Sequence, residues 1–461
     1  MTFALPFEQI PQVPSRRLLG HLHLIRKNPV EFLRLAQDRA DLCRMRLGPT
    51  RAVVVSSPRL MHEVLVERHE DHKKSRAIAI FARGLIGQSV FSSHGTRYKK
   101  RRGFVAPAFK ANVVGRYADA IVNEVDAMLL RFGSEVSIDS EMHEITLRVV
   151  AETLFHTSVA SDVPAIEDAL TRALQAMNGL IGQAIPLPPT YPTKHGLKLR
   201  SARRDLDRVV YRIIRERRAS GRDEGDILSM LMGARDEAGE GLDDEELRDE
   251  VMALMLAGHE TTASALTWAI QVIATDPVVQ ARLTQEVDMV LGDRTPTFAD
   301  VPKLPYTLAV FKETLRMYPP VYLNGREPMV DTQLDRYAIP AGTLIFLNIY
   351  GTHRRPEVYP DPDVFRPERF LGDGEKQLPR GAYLPFGEGP RVCAGNHFAL
   401  MEGQLVLARL WQRCKLIAPS GKMSDPWPSF TLRARPPVRM RVERRTQRTS
   451  QLPAKDRFAL S

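Results

Sequence analysis

The segment Phe386-Gly387-Glu388-Gly389-Pro390-Arg391-Val392-Cys393-Ala394-Gly395 sets one cysteine among three glycines and an arginine, just before a helical run to Cys414. A free cysteine titrates near ~8.5, so an anionic sulfur at neutral pH needs a cation or a dipole beside it. A helix starting after Cys393 offers free backbone N–H groups and the positive end of its dipole. Gly387, Gly389 and Gly395 let the backbone close around the sulfur. Arg391, two residues away, is placed to pair with an anion. This is the pattern of a thiolate metal ligand, whereas an isolated cysteine is more often an inert core thiol.

A second group, Ala257-Gly258-His259-Glu260-Thr261-Thr262, lies inside a long helical pattern. Gly258 costs about 1 kcal/mol there relative to alanine. Thr261 and Thr262 can bond carbonyls one turn back and loosen the ladder. An acid beside an alcohol can relay protons. A helix kinked for packing, with a solvated glutamate, is the equal alternative on these residues alone. Glu313 and Arg316 share a helix face. Alone they would make a surface ion pair worth little, but Pro367-Glu368-Arg369-Phe370 follows some fifty residues on. His94 to Arg102 is strongly basic, which by itself describes a solvated face.

The cysteine segment resembles the haem-binding signature FxxGxRxCxG of the cytochrome P450 superfamily at every fixed position. The other segments resemble the family's (A/G)Gx(D/E)T, ExxR and PERF motifs, in the family's order, so the resemblance covers nearly the whole chain. It implies a mainly α fold with a small β-rich portion, the long central helix crossing the haem. It implies a single catalytic domain over 1–446: a β-rich portion from about 30–75 and 320–385 plus C-terminal strands, and a helical portion over about 90–315 and 394–414.

The resemblance further implies haem b (iron protoporphyrin IX) with Cys393 as the metal ligand. Such a thiolate pushes electron density onto iron and favours O–O cleavage. Glu260 and Thr261 would be the catalytic pair that delivers protons to dioxygen, with Ala257 and Gly258 leaving room and His259 a tolerated spacer. Glu313, Arg316 and Arg369 would form a buried structural triad behind the thiolate loop. Tyr98, Arg102, Arg326, Phe386, Arg391 and Gly395 would bind the cofactor. The chain departs from the family at Tyr98, which stands where a tryptophan is common; a phenol can still donate a hydrogen bond.

The same resemblance places substrate-pocket walls at Phe81, Leu85, Ala253, Ala257, Val321, Leu323 and Phe430. Their apolar character suits a lipophilic guest, whether terpenoid, fatty acyl or polyketide-like, to be hydroxylated or epoxidised. The proline-rich loop Ile185–Thr193 would form part of a lid. No CxxxxCxxC or reductase-sized segment follows the cysteine region. Electrons from NAD(P)H would then come through external partners, ferredoxin and ferredoxin reductase or a flavodoxin-type donor. Lys99, Lys100 and Arg101 would dock the acidic donor. Two other readings share the thiolate: an H2O2-driven peroxygenase, which needs no proton relay, and a non-enzymatic haem-based gas sensor, which needs neither acid nor alcohol.

The remaining features bound these readings. The 461 residues, 43% hydrophobic and 26% charged, are enough for a large soluble core. The net charge of +10 comes without aromatic-interleaved basic runs or zinc-finger spacing, which favours an acidic protein partner over nucleic acid. Three dispersed cysteines make a disulfide framework improbable and fit a reducing cytoplasm. Met1 to Arg17 has no signal-like apolar core, and no stretch is long enough to span a bilayer. A soluble cytoplasmic monomer is expected.

Asp243 or Asp244 caps a predicted helix running to Asp276, before Pro277. Further helices are predicted from Pro29, over 58–68, near 306–317 and over 395–414, with strands on both sides of Gly48-Pro49. Residues 1–28 read as irregular, and the polar stretch 447–461 as a disordered tail.

Overall fold

The computed structural model describes residues 4–15, 19–155, 162–181 and 188–445, with the side chains of 77–81 and 181 outside that description. The 447–461 tail, the Phe81 side chain and part of the proline-rich loop fall outside the described residues.

The long helix spans Asp244–Thr275, about 48 Å at 1.5 Å per residue. Its start is a capping box: Asp243 accepts from the Glu246 amide at 2.7 Å, and Glu246 accepts from the Asp243 amide at 3.3 Å. It stops at Asp276, and Pro277 opens the next helix. From Leu247 to Ile273 it is buried on almost every side, as expected of a helix through a core. It packs against Ile138–Phe155, Lys194–Ser220, Pro305–Met317 and Asn396–Arg413.

The strands come from both ends of the chain. One sheet runs in the order Leu42–Leu47, Thr50–Val55, Leu344–Leu347, Asn324–Pro328, His72–Lys74. Its outer antiparallel pair sets Lys74 opposite Arg326. Like charges across a strand pair are unfavourable unless an anion lies between them. A second sheet joins Arg439–Arg444 to Glu135–Ser137 and Cys414–Ile417.

Two local expectations change. The helical reading over 58–68 resolves into Pro58–His62 followed by a π segment, Glu63–Glu67. Residues 1–28 are not wholly irregular, because Leu22–Lys27 forms a short helix beyond the prolines.

Candidate active site

Cys393 sits at the end of a tight loop. Its N–H donates to the Phe386 carbonyl at 2.9 Å, and the Val392 N–H donates to Gly389 at 3.0 Å. Gly389 has φ +73°, and an added Cβ would come 2.5 Å from the Leu65 carbonyl oxygen, so this position requires glycine. The rest of the loop is pinned by His62, whose Nδ1 lies 2.9 Å from Glu388. The thiol is surrounded by protein yet accessible. Burial pushes its pKa up, while the Gly395 N–H, Arg102 and Lys74 pull it down. Gly395 is the N-cap of Asn396–Arg413, so the helix end points where the sequence places it.

Cations gather on this side. Arg326 is buried, and burial followed by repulsion from Arg391 brings its pKa down to about 10. Burial also lowers Arg391. Lys74 is depressed well below its ordinary value by burial and then by Arg326 and Arg391. Its Nζ donates to the Phe91 carbonyl at 2.5 Å and lies 3.8 Å from that ring's centre. Among the described residues no carboxylate pairs with Lys74, Arg102, Arg326 or Arg391. Four cations converging without a counter-charge make a site for an anionic group. The sequence reading found three of them and missed Lys74.

Tyr98 has a partner other than the one expected. Its hydroxyl donates to the Pro390 carbonyl at 2.7 Å, and the Arg391 guanidinium stacks 4.0 Å from its ring centre. Tyr98 therefore braces the cysteine loop and Arg391. Arg101 is a correction: it is 4% exposed and pairs with Glu246 at 2.8 Å, so it serves the core and not a docking face. Lys100 pairs with Asp236 at 2.7 Å, and Lys99 stays at the surface.

On the long helix, Ala257, Gly258 and Thr261 form an accessible stripe on an otherwise buried element. Thr261 Oγ1 donates to the Ala257 carbonyl at 2.6 Å, the back-bond that loosens the ladder. A Cβ added at Gly258 would come 2.8 Å from Val150 Cγ2, so this glycine serves the close approach of helix Ile138–Phe155. Glu402, nine residues after Cys393, is fully buried, and burial pushes its pKa up to about 8. It faces the Thr262 hydroxyl without an aligned hydrogen bond. The helix that follows the cysteine loop therefore packs on the long helix at Thr262.

Glu260 does not point along that stripe. It is 1% exposed, accepts from Thr431 Oγ1 at 2.5 Å and Arg433 Nε at 2.6 Å, and lies 3.5 Å from His143 Nε2. Burial alone would raise its pKa, but His143 and Arg433 outweigh it and hold the carboxyl at about 2. Burial lowers its neighbour His259 to about 3.

Glu313, Arg316 and Arg369 meet. Arg316 donates to both Glu313 oxygens at 2.7 and 2.8 Å, and Arg369 Nε lies 3.4 Å from Glu313. Arg316 also donates to the carbonyls of His353 and Pro362 at 2.8 and 2.9 Å. Buried His353 accepts the Leu384 N–H at 2.7 Å, so its other nitrogen donates to Arg316 O at 3.1 Å. That ring links the triad to the strand of chain entering the cysteine loop, a role invisible in the sequence.

Of the expected pocket residues, Leu85 and Ala253 are buried, Ala257 and Val321 accessible, and Leu323 and Phe430 half-buried. Pro189 of the proline-rich loop lies against Gly84, beside Leu85.

A mainly helical fold with an accessible cysteine just before a helix N-terminus, and a long buried helix bearing an accessible threonine, is the architecture of a haem-thiolate class of protein. The family model for cytochrome P450 matches residues 11–444. Cyclooctat-9-en-7-ol 5-monooxygenase of Streptomyces melanosporofaciens is 36% identical over 87% of this chain and 87% of its own length. Pentalenene oxygenase of Streptomyces avermitilis is 34% identical over 85% of this chain and 88% of its own. The crystal structure of the cytochrome P450DA heme domain superposes with a TM-score of 0.88 at 26% identity, covering 96% of this chain and 98% of that one. The chain belongs to the cytochrome P450 family and is a monooxygenase of that family. The haem-thiolate cofactor that this fold implies fits the residues present: an accessible thiol with an N–H on its sulfur, and cations that pair with no carboxylate among the described residues.

Proposed function

We propose that this enzyme hydroxylates or epoxidises a terpenoid hydrocarbon or mono-alcohol. The observation that carries the reading is the similarity over most of the chain to relatives named for oxygenating cyclooctat-9-en-7-ol and pentalenene. The apolar character of Leu85, Ala253, Leu323 and Phe430 supports it.

In this reading one catalytic domain spans 1–446. Cys393 ligates haem b, which supplies oxygen activation when bound. Arg102, Arg326, Arg391 and Lys74 hold its propionates, and Tyr98 braces Arg391. Phe386 accepts the Cys393 amide and keeps the sulfur aimed. Gly395 gives the sulfur its N–H. Thr261 holds a proton at Oγ1 beside Ala257, and Glu260 resupplies it from behind. Glu313, Arg316 and Arg369 hold the loop. Electrons from NAD(P)H arrive through a separate ferredoxin and its reductase, or a flavodoxin-type donor, in the cytoplasm, to a monomer.

A titration of the holoprotein with pentalenene and with a long-chain fatty acid tests the substrate class. The spectral change that accompanies displacement of the distal water should saturate with the terpene at lower concentration. A tighter response to the fatty acid would overturn the assignment.

A further inference from the structure

Two short strands, Pro426–Pro428 and Leu432–Ala434, pair antiparallel and leave Ser429, Phe430 and Thr431 to make the turn between them. This turn is held from several directions. Within it the Ser429 N–H donates to the Thr431 carbonyl at 2.9 Å. The Leu432 N–H donates to the Pro320 carbonyl at 3.0 Å, and the Tyr322 hydroxyl donates to the Ser429 carbonyl at 3.1 Å. On the long helix, Ser264 Oγ and Trp268 Nε1 both donate to the Leu432 carbonyl at 2.8 Å. Thr431 Oγ1 donates to Glu260, the neighbour of Thr261. Ser429 stands two residues, at most about 7 Å of chain, from that last anchor. It is therefore fixed near the part of the long helix that carries the accessible stripe.

Helix Val163–Ile181 meets the turn through one polar side chain. Asn178 Nδ2 donates to Ser429 Oγ at 2.5 Å. Around Asn178 the helix is apolar, with Leu174, Met177 and Leu180 all buried, and Phe430 packs on the same core. A few polar groups placed in an apolar wall are what fix the orientation of a bound guest.

The pair is not saturated. Among the described residues Asn178 Oδ1 accepts no hydrogen bond and the Ser429 hydroxyl donates none, and both side chains are only half-buried. One acceptor and one donor are left over. Turning the amide over leaves the same remainder, because Ser429 would then donate to Oδ1 and keep a lone pair while Nδ2 keeps its protons. An alcohol complements this remainder, since its oxygen accepts while its O–H donates. The Asn178–Ser429 bond is then the third side of a closed ring of hydrogen bonds. A hydrocarbon leaves both groups unmatched against an apolar guest, which is unfavourable.

We propose that Asn178 and Ser429 together bind a hydroxyl group of the substrate, so that the enzyme takes a terpenoid mono-alcohol in preference to the hydrocarbon of the same skeleton. The inference rests on the terpenoid reading above and narrows it. The bonds from Tyr322, Ser264 and Trp268 hold the turn before the substrate arrives, so little ordering is required on binding. Sites that hydrogen-bond a substrate hydroxyl discriminate strongly against the analogue lacking it.

The test is a spectral titration of the holoprotein with cyclooctat-9-en-7-ol and with the hydrocarbon of the same skeleton lacking the hydroxyl. Wild type, Ser429→Ala and Asn178→Leu are compared, and a long-chain fatty acid is titrated beside them. Wild type should bind the alcohol more tightly than the hydrocarbon, by about 5-fold or more. Each variant should lose that preference through a weaker Kd for the alcohol, with the Kd for the hydrocarbon unchanged. Equal weakening of both ligands would reduce the pair to a structural contact and overturn the proposal. So would a wild type that binds both terpenoids equally, which leaves the terpenoid reading intact. A wild type that responds to the fatty acid and to neither terpenoid would overturn that reading and the hydroxyl contact with it.

Discussion

Arg433 grips both carboxylate oxygens of Glu260 from a strand 173 residues further along the chain. Together with the His143 contact, the bond turns a helix acid next to Thr261 into an ionised, anchored group. A carboxyl held at about 2 instead of 4.5 adds stability above the higher value and loses it as pH falls through the lower. At neutral pH the difference amounts to about 3 kcal/mol. Arg433→Gln should therefore lower the melting temperature at pH 7, and the gap to wild type should shrink on acidification from about pH 5 to 2. Thermal melts across that range check it.

The unpaired cations make a prediction with two signs. Lys74, Arg326 and Arg391 repel one another, and in the proposed reading they would share an anion in the holoprotein. Lys74→Met should raise the melting temperature of the apoprotein and speed haem loss by about 10-fold, the scale of one charge-assisted hydrogen bond. Melting curves of both forms, with haem transfer to an acceptor protein, measure it.

Glu313 sits at the centre of two arginines and the Arg366 amide, which it accepts at 2.9 Å. Glu313→Gln leaves buried Arg316 with an uncompensated charge, a loss of about 3–5 kcal/mol. Little haem-loaded protein should be recovered, and denaturant unfolding of what remains should show the deficit.

Lys99 and Arg101 separate surface from core. Lys99→Glu should slow reduction by an acidic ferredoxin, more at low salt than at high. Arg101→Glu should instead depress stability, because Arg101 is buried against Glu246 and Glu250. Stopped-flow reduction at two ionic strengths, beside thermal melts, distinguishes them.

Much of this site was legible in the sequence because its signals are local. The glycines around Cys393, the cap at Asp243, the stop at Pro277 and the Glu313–Arg316 spacing each lie within a few residues of what they determine. Arg433, Lys74 and His353 were not legible. Each works through a partner distant in sequence, and a lone charge or histidine carries no mark of burial until the fold closes over it. Gly258 was legible as unusual, but its cause, the approach of Val150, is tertiary.

Everything above turns on Cys393 holding haem iron as a thiolate. The optical spectrum of the reduced, carbon monoxide-treated protein tests it most directly. The expected result is the red-shifted Soret band of thiolate ligation, lost in Cys393→His. A wild-type band at the position of histidine-ligated haem would contradict it.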